Sequence, residues 1–183
     1  MLIFISGSSR SGKSSFAESR LTAFAKDSPK IYIATSRINN SDPEMLRRIQ
    51  NHRLMRRDKN FTTIEKSEDL HEILKQIPEN SAILLESLSS LAANEMFREN
   101  RVLSPEIVFA KIWRDIANLR DKAKILIIVS DDIFSDGIAY DELTMKYIKL
   151  LGRLHVKIAS ESDENCEIFS GIIINYERTI KFK

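Results

Sequence analysis

One octapeptide constrains this chain more than any other feature. Leu2 to Ser6 is a short apolar run that leads without a break into Gly7-Ser8-Ser9-Arg10-Ser11-Gly12-Lys13-Ser14. A run of that length stopped by glycine reads as a strand buried on both faces. The segment that follows, Ser14 to Lys26, places apolar residues three and four apart, which is helix spacing. The pattern G-x-x-x-x-G-K-[ST] between a strand and a helix is a phosphate-binding loop. Four variable residues between the glycines let the backbone wrap a phosphate, so that successive N–H groups from Ser8, Ser9, Arg10 and Ser11 converge on its oxygens. A side chain at Gly7 or Gly12 is expected to obstruct that path. Lys13 then reaches the β and γ phosphates, Ser14 offers its hydroxyl to Mg²⁺, and the helix adds its positive end. The implied ligand is a nucleoside triphosphate. Ser15 can share the role of Ser14, although serine is also an ordinary first-turn helix residue.

The rest of the chain alternates in the same way. Apolar runs recur at Ile31 to Ala34, Ala82 to Leu85, Ile125 to Val129, Ile168-Phe169 and Ile172 to Ile174. Helix-spaced segments fall between them, at Pro43 to Lys59, Ser67 to Gln76, Leu88 to Glu99, Pro105 to Lys122 and Asp141 to Ser160. Such alternation predicts an α/β, P-loop NTPase-like fold, with a mainly parallel sheet covered by helices on both faces and ligands beyond the carboxyl ends of its strands. Tyr176 to Lys183 alternates weakly and is expected to return as an antiparallel C-terminal edge strand. At 183 residues, with no repeat or low-complexity linker, residues 1–183 are expected to form a single nucleotide-binding domain.

Composition excludes several classes. Nothing approaches the ~18 consecutive apolar residues of a membrane span, and Met1 to Ser6 is too short for a signal peptide's apolar region, so a cytoplasmic protein is expected. The single cysteine, Cys166, allows neither an internal disulfide nor a thiolate metal cage. A net charge of +2 argues against a surface built for nucleic acid. Charge is nevertheless concentrated: between Glu44 and Lys59 six basic residues face two acids, which suggests a local anion site or a solvated helix face.

A phosphate loop needs a carboxylate at another strand end to hold the magnesium water shell. Glu86, after Ala82 to Leu85, is one candidate, and Asp131 with Asp132, after Ile125 to Val129, is the other. Inside the basic segment, His52 has arginines nearby at Arg48, Arg53, Arg56 and Arg57. Such neighbours would bind a triphosphate and keep the imidazole neutral and nucleophilic by like charge. A histidine on a helical stripe is otherwise a packed or surface residue, the role expected of His71 and His155.

These residues carry a family resemblance. The loop at the extreme N-terminus, then Tyr32 to Ser36, then Glu44-Met45 leading to Arg48-Ile49 and His52-Arg53, resembles the bifunctional adenosylcobinamide kinase/adenosylcobinamide-phosphate guanylyltransferase family. Thr62 to Glu65, Ala82 to Glu86, Ile127 to Ser130 and Leu151 to Arg153 extend the similarity over nearly the whole chain. The resemblance implies an enzyme of cobalamin nucleotide-loop assembly. It would phosphorylate adenosylcobinamide with ATP or GTP, then carry GMP from GTP on a histidine to adenosylcobinamide phosphate, forming adenosylcobinamide-GDP. His52 matches the family's histidine, and Lys13 serves the kinase half. Thr35, Ser36, Arg37, the stretch Arg53 to Arg56, Glu65 and Glu86 would line the guanine nucleotide site, and Ser14 with Glu86 would hold Mg²⁺. A homotrimer is implied in the same way.

The chain departs from the family pattern after Val129. An Asn-Glu-Val-Gly type segment is replaced by Asp131-Asp132-Ile133-Phe134, a Gly-Ile-Val-Pro turn by Gly137-Ile138-Ala139-Tyr140, and an Asn-Gln pair after Gly-Arg by His155-Val156. These changes spare the loop and bear on the corrinoid contacts and the kinase half. Two other classes are compatible with the same loop: a small-molecule P-loop kinase without a protein-bound intermediate, and a nucleotide-binding regulatory module without corrinoid turnover.

Overall fold

A computed structural model of the chain describes residues 1–37, 47, 59–134 and 137–176. Seven strands form one sheet in the order β3-β2-β4-β7-β1-β8-β9. They are β1 (Leu2–Gly7), β2 (Lys30–Ala34), β3 (Phe61–Glu65), β4 (Ser81–Glu86), β7 (Ala123–Val129), β8 (Glu164–Phe169) and β9 (Ile172–Tyr176). Every pairing within this sheet is parallel except β8 with β9. A two-stranded ribbon, β5 (Phe97–Arg98) and β6 (Arg101–Val102), stands apart. The helices are α1 (Lys13–Ala25), α2 (Leu88–Met96), α3 (Pro105–Lys122) and α4 (Glu142–Glu161), with a 3₁₀ helix at Leu70–Gln76. No described helix is long and apolar enough to cross a membrane.

The central strands are continuous apolar runs because both faces of the sheet are covered. In β1, Ile3 and Ile5 pack with Ala17 and Leu21 of α1 and with Cys166, while Leu2 and Phe4 pack on the opposite core. That second core takes Leu88 and Leu91 from α2, Val108, Ile112, Ile116 and Leu119 from α3, and Leu150, Leu151, Leu154 and Ile158 from α4. Caps set the helix starts. Ser87 accepts from Ser90 N at 3.1 Å to begin α2, Ser104 with Pro105 begins α3, and Asp141 accepts from Leu143 N and Thr144 N to begin α4. The start of α1 has no side-chain cap, and Gly12 stands there at φ 96°.

Two elements depart from expectation, the 3₁₀ helix and β3. Ser67 to Gln76 yields a 3₁₀ helix over Leu70–Gln76, pinned by ion pairs, in place of a full α-helix. An antiparallel C-terminal edge strand is present at Ile172–Tyr176, and of the segment Tyr176 to Lys183 only Tyr176 lies within the described residues. β3 has no apolar run to announce it, because an edge strand with one half-open face keeps Thr62, Thr63 and Glu65 exposed. Of the segment Pro43 to Lys59, only Arg47 and Lys59 lie within the described residues.

Candidate functional site

The site lies along the carboxyl edge of the sheet, where register places the ends of the strands side by side. Glu65 pairs with Ala34, Ala34 with Glu86, Glu86 with Val129, and Val129 with Ile5. Backbone bonds continue past the strands: Ser130 N donates to Ile5 O at 3.0 Å, Asp132 N to Gly7 O at 2.8 Å, and Thr35 N to Glu86 O at 2.9 Å. The phosphate loop and the segments after β2, β4 and β7 therefore share one rigid rim.

Glycine is required in the loop at two positions for different reasons. At Gly7, φ is +148° and a Cβ would stand 2.3 Å from Ile168 O of β8, so the obstruction expected on the phosphate side falls on the neighbouring strand. At Gly12 the space is open, but φ +96° is a conformation that side-chain-bearing residues rarely adopt. Ser8, Ser9 and Arg10 are exposed at the tip. Ser11 is buried, and its Oγ has no hydrogen-bond partner among the described residues.

Lys13 is only 6% exposed. Its Nζ donates to Ser8 O at 2.5 Å and lies 3.0 Å from Asp131 Oδ1. The Ser14 hydroxyl donates to Glu86 Oε1. Both candidate carboxylates thus reach the loop, on different partners: Glu86 on the hydroxyl suited to a metal, Asp131 on the ammonium. Glu86 does so across β7, which separates its strand from β1. Mg²⁺ is held through one or two carboxylates, waters and phosphate oxygens rather than by an all-protein cage. A hydroxyl and a carboxylate in contact beside a phosphate loop fit that habit, and no described cluster of three or more His, Cys, Asp or Glu offers a cage.

Behind Asp131 stands a polar frame that sequence reasoning missed. Ser89 Oγ donates to Asp131 Oδ2 at 2.9 Å, and Tyr147 OH donates to Ser89 O at 3.0 Å. Ser87 Oγ lies 3.1 Å from Ser89 Oγ and donates to Ser90 Oγ at 2.9 Å. Burial, with a smaller push from Asp131, raises the Tyr147 phenol to about 12, so it remains a donor. His155 Nε2 lies 2.7 Å from the hydroxyl of the buried Ser130, with the rings of Phe4 and Phe134 edge-on to its own. Burial holds its imidazole down at about 4 against the pull of Asp132 and Asp131, so it is neutral at ordinary pH. The only sequence signal for this frame was the serine run Ser87, Ser89 and Ser90 at a helix start.

The residues expected around a guanine nucleotide separate. Thr35 is buried, its hydroxyl donating to Ser87 O at 2.7 Å and accepting from Ser87 N at 2.7 Å, so it ties β2 to α2. Ser36 is exposed, 3.3 Å from Ser90 Oγ. Arg37 bends to the end of α2, donating to Asn94 O at 3.3 Å and Phe97 O at 3.4 Å. Glu65 is exposed at the end of β3, on the same register row as Glu86 with Ala34 between them. Lys59, counted in the basic segment, pairs with the buried Glu18 of α1 at 2.6 Å. His52, Arg53 and Arg56 lie outside the described residues.

Comparison with known proteins adds an independent observation. Residues 3–176 match the family model described as cobinamide kinase / cobinamide phosphate guanyltransferase. The chain is 28% identical over 182 residues to the bifunctional adenosylcobalamin biosynthesis protein CobU of Escherichia coli (strain K12), and 30% identical over 184 residues to the protein of the same name from Salmonella typhimurium. Each alignment covers 94% of this chain and 97% of the relative. Among solved structures, an ATPase domain superposes with a TM-score of 0.53 at 12% identity, over 92% of this chain and 69% of that one. That likeness concerns the fold alone.

Proposed function

Since the chain belongs to the cobinamide kinase / cobinamide phosphate guanyltransferase family, we propose that it is a bifunctional enzyme of cobalamin assembly acting on a nucleoside triphosphate and a corrinoid. The observation that carries this reading is the division of the loop's two functional side chains, Lys13 toward Asp131 and Ser14 toward Glu86, in a chain that matches the family over residues 3–176.

In the kinase half, the loop N–H groups and Lys13 hold the triphosphate of ATP or GTP, and the start of α1 faces its charge. Ser14 and Glu86 would hold Mg²⁺, which would supply charge neutralisation for the triphosphate. The acceptor is the aminopropanol hydroxyl of adenosylcobinamide. In the guanylyltransferase half, neutral His52 attacks the α phosphorus of GTP and pyrophosphate leaves. An oxygen of adenosylcobinamide phosphate then displaces the imidazole to form adenosylcobinamide-GDP. Arg53 and Arg56 balance phosphate charge, while Ser36, Arg37 and Glu65 belong to the guanine side of the site, Glu65 with a carboxylate able to accept from the N1–H and amino group of guanine. Residues 1–183 act as one nucleotide-binding unit, in the cytoplasm, as a homotrimer.

The test is incubation with Mg-GTP labelled separately at the α and γ phosphates. The α label is expected to stay on the protein as a phosphoramidate, lost in acid and stable in base, and to disappear in His52→Ala while GTP still binds. Retention of γ label alone, or an α adduct that persists in His52→Ala, overturns the mechanism and leaves a simple kinase.

A further inference from the structure

At the loop two carboxylates are in place, and they contact different groups. Glu86 is engaged with Ser14, the hydroxyl on the metal side. Asp131 is turned elsewhere. Its Oδ1 lies 3.0 Å from Lys13 Nζ and its Oδ2 accepts from Ser89 Oγ at 2.9 Å. The main chain on either side is fastened to the loop strand, through Ser130 N to Ile5 O and Asp132 N to Gly7 O. Ser130 is fastened in turn to His155.

This placement has three consequences. A lysine that contacts the β and γ phosphates holds any carboxylate bonded to it within a few ångströms of the transferring group. A carboxylate offers about four acceptor positions, and the two contacts described leave room for a further donor. The side chain is 37% exposed while Lys13 beside it is buried, so a hydroxyl arriving from solvent can reach it.

We propose that Asp131 is the catalytic carboxylate of the phosphoryl-transfer half, the group that receives the acceptor's hydroxyl hydrogen bond, aims its oxygen at the γ phosphorus and takes its proton. Ser89 is a positioning residue that fixes the carboxylate's rotation. In the transfer step a bond forms between the acceptor oxygen and the γ phosphorus, the bond from that phosphorus to the β–γ bridging oxygen breaks, and its electron pair leaves with the nucleoside diphosphate. The proton passes to Asp131 and on to water. In a loose transition state the proton moves late, so orientation supplies most of the effect. The assignment rests on the kinase reading above for the corrinoid acceptor, while its geometry applies to water as an acceptor too.

The experiment compares unmodified protein with Asp131→Asn, which keeps an oxygen for Ser89 but removes the base. γ-Labelled Mg-ATP is supplied with adenosylcobinamide, and in a parallel arm with water as the only acceptor. Affinity for a non-hydrolysable Mg-ATP analogue is measured by calorimetry. Asp131→Asn is expected to lower kcat by about 10²-fold or more in both arms and to leave the affinity within about threefold. Ser89→Ala is expected to lower kcat by about 10-fold with affinity likewise unchanged. An unaltered kcat in Asp131→Asn overturns the proposal, and so does a parallel loss of affinity and kcat, which marks Asp131 as an anchor for Lys13. If unmodified protein transfers label to water but none to the corrinoid, the kinase reading fails by itself, and the hydrolysis arm still decides the role of Asp131.

Discussion

Two clusters of cations and carboxylates in this molecule use the same side-chain types to opposite ends. One is the rim cluster of Lys13, Asp131, Ser14 and Glu86. The other joins the 3₁₀ helix, α2 and α3. There Arg98 Nη2 donates to Asp69 Oδ1 at 2.8 Å and to Glu95 Oε2 at 2.5 Å, and Lys111 Nζ bonds Asp69 Oδ1 at 2.5 Å and Glu95 Oε1. Asp69 N also donates to Glu95 Oε1 at 2.7 Å. In this second cluster acids and bases close on one another, Glu68 adding a contact 3.4 Å from Arg98 Nε, and Glu95 is fully buried. Burial alone would raise both carboxyls, but hydrogen bonds from Arg98 and Lys111, with their charges, more than offset it and hold both below the usual carboxylate range. The rim cluster is open: Asp131 is 37% exposed and the buried Ser11 hydroxyl has no described partner. A closed set of charges fixes a loop in place, whereas an open one is arranged for a ligand.

The largest effect expected from breaking the open cluster is on chemistry. Lys13→Ala removes the cation that faces the phosphates, and turnover with Mg-ATP or Mg-GTP is expected to fall by about 10³-fold or more. Calorimetric titration with Mg-GTP is expected to show binding lost while the thermal unfolding midpoint stays close to that of unmodified protein. Unchanged affinity and turnover would place the nucleotide elsewhere.

Breaking the closed cluster is expected to do the reverse. Glu95→Ala leaves Lys111 with Asp69 and Arg98 with Asp69 and the more distant Glu68, a loss of about 4 kcal/mol in urea unfolding at neutral pH, with kcat per folded molecule retained. The pH dependence has a definite sign. Because the folded-state pKa values of Asp69 and Glu95 are depressed, their contribution is complete above the unfolded value near 4 and is lost as pH falls below it. Glu95→Ala flattens that acid limb. A variant that lost turnover without losing stability would show that the two clusters are coupled.

How far the two clusters could be read from sequence differs for the same physical reason. The loop was legible because Gly7, Gly12, Lys13 and Ser14 are local in the chain and each has a backbone or phosphate reason to be there. The central strands were legible because burial on both faces leaves an unbroken apolar run, as in Ile125 to Val129. The partition of Glu86 and Asp131 was not, because it depends on β7 lying between β4 and β1, a fact of sheet order. Ser89 meets Asp131 across 42 residues, Tyr147 meets Ser89 across 58, and His155 meets Ser130 across 25. No local pattern announces such contacts. The closed cluster likewise joins Asp69 to Lys111 across 42 residues, and its acids and bases read in sequence as ordinary surface charge.

His155 separates the clusters by a second pH window. Unfolded, its imidazole takes a proton near 6.5; folded, burial defers this to about 4. Stability is therefore complete above about 6.5 and falls by about 3 kcal/mol as pH drops to 4, before the closed cluster begins to titrate. In His155→Gln this upper window is expected to vanish from a series of urea midpoints, and the window below pH 4 to remain. A midpoint in unmodified protein that stays flat between pH 7 and 4 would mean that the imidazole is protonated against Ser130 in the folded state.

The smallest effect expected is also the one that tests where the closed cluster ends. Asp115 lies in the buried stripe of α3 with Val108, Ile112, Ile116 and Leu119, and its Oδ1 has no hydrogen-bond partner among the described residues. Burial raises its carboxyl, Lys111, His71 and Arg114 pull it back, and Glu95 adds to the rise. For an acid with a raised folded-state pKa, stability is greatest at low pH and declines as pH climbs from the unfolded value near 4 through the folded one. Ionised Asp115 is thus a liability at neutral pH. Asp115→Asn is expected to stabilise the protein at pH 7 by up to about 1 kcal/mol, a difference that shrinks as pH falls toward the unfolded value near 4. Urea unfolding at the two pH values measures this directly. If Asp115→Asn instead destabilises at pH 7 by an amount comparable to Glu95→Ala, the carboxylate belongs to the network through Lys111, and the closed cluster extends to Asp115.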